Sequence, residues 1–137
     1  MTNPVVVNKR LGKLREYVKL LRILRDRPRQ LFETDPFLYG SAERYIQLAI
    51  QVVLDIANHI VADDRLGQTE EYRDAIRLLG EHGYIPPDLT ERLLPIAGLR
   101  NILVHDYLDI DREKLFGVLQ HNLGDLEEFA RHIAARL

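Results

Sequence analysis

The stretch "RYIQLAIQVVLDIANHIVAD", Arg44 to Asp63, decides the fold. Tyr45, Leu48, Ala49, Val52, Val53, Ile56, Ala57 and Ile60 recur at steps of three and four. That is the period of one helical face, not the alternation of a strand. A face this apolar has to be covered by other elements. The spacing predicts a long helix beginning between Asp35 and Ala42, with Asp35 and Ser41 both suited to the N-cap. "DDRLGQT", Asp63 to Thr69, closes it.

The same period extends in both directions. Leu11, Leu14, Tyr17, Val18, Leu21 and Leu24 predict a first helix from about Asn8 to Asp26, and Arg27-Pro28 breaks it. Thr69 is placed to cap a shorter helix that buries Tyr72, Ala75, Ile76 and Leu79. "EHGYIPPDLT", Glu81 to Thr90, reads as a loop, with Gly83 past the helix end. The next helix begins near Asp88 or Thr90 and runs through Leu93, Leu94, Ala97 and Leu99, with Pro95 expected to kink it. Asp111 caps a last helix carrying Leu115, Val118, Leu119, Leu123, Leu126, Phe129, Ala130 and Ile133. Four long helices, one short one and no strand predict an all-α protein, an antiparallel four- to five-helix bundle. The whole chain, 1–137, reads as one domain, with residues 1–7 a flexible tail or a strip that docks on a neighbour.

Composition narrows the chemistry. Hydrophobic residues make up 46% and charged residues 29%, a soluble globular balance. There is no cysteine, which removes disulfides, thiolate metal sites and a thiol nucleophile. No uninterrupted run approaches the roughly 18 apolar residues of a membrane span. "MTNPVVVNKRLGK" lacks the charged-then-apolar order of a secretory signal, so the expected location is the cytoplasm, with no membrane partner. The net charge of −2 hides an asymmetry. Residues 1–29 hold nine basic and two acidic side chains, a net +7, and the remainder is −9. A basic first helix either attracts a polyanion such as RNA or pairs with acidic neighbours in the fold.

Polar residues interrupt one apolar segment. "GLRNILVHDY", Gly98 to Tyr107, sets Arg100, His105 and Tyr107 among Leu, Ile and Val. The arginine fork suits a phosphate, and histidine exchanges protons near neutrality. Five residues on a helix separate Arg100 from His105 by roughly 140° and about 7.5 Å along the axis. The two converge on one phosphate if Arg100 extends, if the helix is irregular before Tyr107, or if a twofold dimer brings two copies across one cleft. RNA carries its own nucleophile in the 2′-hydroxyl. A proton-moving histidine and a charge-holding arginine therefore suffice for cleavage without a metal or cofactor. The spacing alone also fits a satisfied structural histidine. Asp55 and His59 read as an i,i+4 pair, and His82, His121 and His132 as structural or exposed.

The segment "RNILVHDY" resembles the Arg-x4-His-x-Tyr motif of the HEPN superfamily, in its HepT branch. "RYIQLAIQVVLDIANHIVAD" and "YRDAIRLLGEHGYIPPDLTERLLPIAGLRNILVHDYLDID" resemble that branch's second helix and its third and fourth. The resemblance implies a homodimeric ribonuclease toxin paired with a minimal nucleotidyltransferase antitoxin of the MntA type. It implies Arg100 as electrostatic stabiliser, His105 as proton-transfer residue and Asn101 as a residue orienting substrate or its neighbours. Tyr107 would be the tyrosine that the antitoxin modifies with AMP, adding bulk and negative charge where RNA should bind. The alternative is a non-catalytic helical subunit that binds a nucleotide or a nucleotidyltransferase partner.

Overall fold

A computed structural model describes residues 2–105 and 110–137. Among them are seven helices and no strand: α1 (Pro4–Arg25), α2 (Arg29–Thr34), α3 (Pro36–Asp63), α4 (Tyr72–Glu81), α5 (Pro87–His105), α6 (Arg112–His121) and α7 (Leu123–Ala134). The all-α expectation holds, with more helices than the four or five predicted. Pro28 does break the chain, and the short α2 follows it directly. The single last helix is two. Asn122 ends α6, its N–H donating to the Val118 carbonyl, and begins α7, its side-chain amide donating to Asp125.

The first helix starts at Pro4 rather than Asn8. The Asn3 side chain accepts the Val5 N–H, and proline sits at the first position, where its missing N–H costs nothing. Val7 is fully buried, so this segment is packed helix rather than tail. Asp35 is the N-cap of α3, accepting the Phe37 N–H at 2.9 Å.

Helix α3 touches each of the other six helices. Its buried face is wider than the predicted stripe. Ile46, Ile50, Leu54 and Val61 are buried together with Ala49, Val53, Ile56, Ala57 and Ile60, while Tyr45, Leu48 and Val52 are only partly covered. A helix enclosed on several sides buries more than one stripe, and the periodicity of a single stripe misplaces its centre. By length and composition α3 would also suit a membrane span, but half of its most apolar window is buried inside this chain.

Two helix ends set the other walls. Helix α4 closes with a left-handed Gly83 (φ 78°), the Tyr84 N–H reaching back to the Leu79 carbonyl and the Gly83 N–H to Gly80. Helix α3 ends in the same way on Arg65 (φ 53°), with the Leu66 N–H on the Val61 carbonyl. Helix α5 runs through Pro95 without ending, although proline supplies no N–H to the turn before it. The basic first helix is partly spent on ion pairs: Arg22 grips Glu127 of α7 with both terminal nitrogens, and Lys13 pairs with Glu16. Arg92 ties α5 to Glu128 and Asp125 of α7.

Helices α4 and α5 cross at Gly80. A Cβ there would meet the Thr90 hydroxyl, and would lie 2.8 Å from its methyl group and 3.0 Å from its Cβ. Thr90 cannot easily retreat, because its hydroxyl donates to the Pro86 carbonyl at 2.9 Å and it is 8% exposed. Gly80→Ala should therefore lower unfolding stability by about 1–3 kcal/mol. Adding Thr90→Ala should recover much of that loss in urea melts, whereas additive losses would place the strain elsewhere.

Candidate functional site

The last two turns of α5 and the first turn of α4 form opposite walls of a cleft of about 570 Å³. Arg100, Asn101 and His105, with Ala97 and Gly98, make one wall. Glu70, Glu71, Tyr72 and Arg73 make the other. Leu103 holds the α5 wall in the core, and Leu99 packs against it. The segment is thus anchored by its apolar residues and presents its polar ones.

One copy of the chain already brings Arg100, Asn101 and His105 to the same cleft, along a helix that stays regular to His105. Arg100 achieves this by reaching sideways. Its Nε donates to the Gln51 side-chain carbonyl on α3 at 3.2 Å. Its Nη1 lies 3.4 Å from the Asn101 side-chain oxygen. Its guanidinium carbon stands 4.1 Å from the centre of the Tyr72 ring. A cation over an aromatic face at this distance contributes about 0.5–1 kcal/mol where solvent reaches it. Asn101 thus touches the arginine it was expected to orient. Among the described residues none of its partners is a carboxylate, so the guanidinium charge stays available to an incoming anion. Tyr107 lies outside the described residues, as do Asp106 and Asp109.

Two participants were not foreseen. Tyr72 was expected in the core, yet it is 40% exposed and lines the cleft. Gln51 carried no expectation from the sequence. Both lie far from the motif in sequence, and only the packing of α3 and α4 on α5 brings them to it. The cap of α4 also differs: Thr69 remains in the loop and Glu71 is the N-cap. The Asp74 carboxylate, inside the helix, accepts the N–H groups of Glu70 and Glu71, both at 2.9 Å. Asp55 and His59 do not pair with each other. Asp55 accepts from Gln51 at 2.9 Å, and the His59 Nε2 lies 3.1 Å from the Asp63 carboxylate. The His82 Nε2 stands 3.1 Å from the Leu66 carbonyl, a structural contact as expected. Among the described residues, no three His, Asp or Glu side chains gather as a metal-binding group.

Fold and cleft define the class: a small helical bundle with a polar groove that carries an arginine and a histidine. The chain belongs to the HepT-like ribonuclease family, whose model, described as Ribonuclease HepT-like, matches residues 11–133. It is 32% identical over 133 residues to the mRNA nuclease HepT of Shewanella oneidensis, covering 97% of this chain and 98% of that one. It is also 32% identical to the tRNA nuclease HepT of Aphanizomenon flos-aquae over 144 residues, covering 100% of this chain and 95% of the relative. A solved structure of the tri-AMPylated Shewanella oneidensis HEPN toxin with its MNT antitoxin superposes with a TM-score of 0.86. That match has 30% identity and covers 98% of this chain and 99% of the toxin.

Asp74 gives the α4 wall a pH signature. The two backbone N–H groups, led by that of Glu71, hold its carboxyl below the ordinary 3.8. Its folded value lies under its unfolded one, so its stabilising contribution is complete above the unfolded value and disappears as pH falls through the folded one. Asp74→Asn should melt at a lower temperature than wild type at neutral pH. The gap should close as acid takes the pH below 3.8. A gap unchanged across that range would show that the carboxylate charge does not hold the turn.

Proposed function

We propose that this chain is a metal-independent endoribonuclease, the toxin half of a toxin–antitoxin pair acting in the cytoplasm. The observation that carries the reading is the convergence of Arg100, Asn101 and His105 on one cleft. The nuclease names of two relatives that match nearly the whole chain support it.

The chemistry follows from the side chains. An RNA phosphodiester enters with a nonbridging oxygen on the Arg100 guanidinium. The 2′-hydroxyl oxygen bonds to phosphorus while the bond from phosphorus to the 5′-oxygen breaks. The 2′ proton leaves to a base and the departing 5′-oxygen gains a proton. His105 carries proton transfer. In a homodimer whose clefts face one another, the second copy's histidine serves the other transfer. Arg100 offsets the added negative charge on the phosphoryl oxygens, a role whose removal typically costs about 10²–10³ in rate. Asn101 holds the arginine or a phosphate oxygen. The products are a 2′,3′-cyclic phosphate and a 5′-hydroxyl.

Control is proposed at Tyr107. A minimal nucleotidyltransferase of the MntA type would transfer AMP from ATP to its phenolic oxygen and release pyrophosphate. The added group brings bulk and negative charge two residues after His105 in the chain, and its phosphate competes with RNA for Arg100. The AMPylated state of the Shewanella toxin in its complex supports this reading.

Cleavage in EDTA decides between the enzyme and a non-catalytic nucleotide-binding subunit. Wild type should yield cyclic-phosphate ends without added metal. Arg100→Ala and His105→Ala should each lose at least about a hundredfold in cleavage rate while keeping the wild-type melting temperature. Strict dependence on added metal, or nucleotide binding without cleavage of cellular RNA, would overturn the proposal. Incubation with the nucleotidyltransferase and ATP should add the mass of AMP to wild type and not to Tyr107→Phe. Equal modification of both would move the site elsewhere.

A further inference from the structure

The mechanism above uses the α5 wall and leaves the α4 wall without a task. Tyr72 occupies the first position of α4. It stays 40% exposed in a chain whose other large side chains mostly pack inward. The Arg100 guanidinium lies over its ring at 4.1 Å. A planar cation against a ring takes one of its two faces, and Tyr72, which lines the cleft together with Arg100, keeps 40% of its surface exposed.

Charge orients whatever enters. The α4 wall carries Glu70 and Glu71, with Arg73 paired to Glu71 at 3.0 Å. The α5 wall carries Arg100, without a carboxylate partner among the described residues, together with His105. A nucleotide lying in the cleft therefore turns its phosphate toward α5 and its base toward α4, where carboxylates repel phosphate but accept base N–H groups. There the base meets the ring face that Arg100 does not take.

We propose that Tyr72 is the base-stacking residue of the cleft: one face of its ring holds Arg100, and the other receives the nucleobase adjoining the phosphate that Arg100 contacts. This rests on the reading that the cleft takes single-stranded RNA. Stacking on an aromatic face tolerates any base, because every base has a π-face. A stacked base also strips water from the ring and the guanidinium behind it, which strengthens the grip of Arg100 on the phosphate. Tyr72 then joins binding to arginine positioning.

Binding of a short single-stranded RNA carrying 2′-O-methyl groups throughout, which cannot be cut at the 2′-hydroxyl, tests this by fluorescence anisotropy. Tyr72→Phe should bind within about twofold of wild type, and Tyr72→Leu about tenfold more weakly. A series of the same RNA with one abasic position at a time adds a readout that a structural role would not move. One abasic position should weaken wild-type binding about tenfold and leave Tyr72→Leu no weaker than before. Abasic penalties equal in both proteins, no abasic penalty in wild type, or no wild-type binding would each overturn the inference. The abasic series on wild type stands even if Tyr72→Leu folds poorly. Cleavage by wild type alongside unchanged Tyr72→Leu binding would remove the stacking role and leave the ribonuclease reading intact. Tyr72-dependent binding without cleavage would do the reverse.

Discussion

Everything in this molecule is organised by the need to cover α3. Its ten buried side chains are all apolar, and each large one contributes about 1.5–3 kcal/mol when withdrawn from water. No single neighbouring helix can cover a surface that wide, so six helices close around it. The site is a by-product of that enclosure. Helices α4 and α5 both pack on α3 and on each other, and their polar ends are left facing across a gap. Gln51 is where the two demands meet: it lies on the central helix yet turns a carbonyl toward Arg100.

The electrostatics of the cleft depend on which of the described residues Arg100 meets. Several arginines elsewhere in the chain pair with carboxylates: Arg22 with Glu127, Arg77 with Asp74, Arg92 with Glu128. Arg100 instead receives an amide carbonyl, a second amide oxygen and a ring. These partners fix direction without neutralising charge. A carboxylate in their place would hold the guanidinium more firmly and make it a poorer receptor for phosphate. The arrangement sacrifices some local stability for readiness to bind an anion, as sites commonly do.

Much of the fold was legible because burial leaves a periodic trace. The α3 stripe, the break at Pro28, the caps at Asp35 and Asp111 and the Gly83 terminus all follow from local patterns. What escaped was decided by tertiary context. The turn at Asn122 divides a stretch whose periodicity looks continuous, because α6 and α7 each carry the same helical period up to the break. Asp74 caps α4 from within, so Thr69, the conventional candidate, was a decoy. The α5 half of the cleft was visible as polar residues in an apolar segment. The α4 half was not, because Tyr72 has the side chain of a core residue and its exposure depends on where α4 begins.

The close crossing at Gly80 has a mechanical meaning. Tyr72 stands eight residues, roughly 12 Å of helical rise, from that point of contact. Helix α4 is thus a short lever pivoted where a glycine meets a threonine, with the aromatic wall of the cleft at its free end. A tilt of a few degrees at the pivot becomes a displacement of about an ångström at the ring, by the same helical rise. The width of the cleft is therefore set at a place that carries no charge and does not line the cleft.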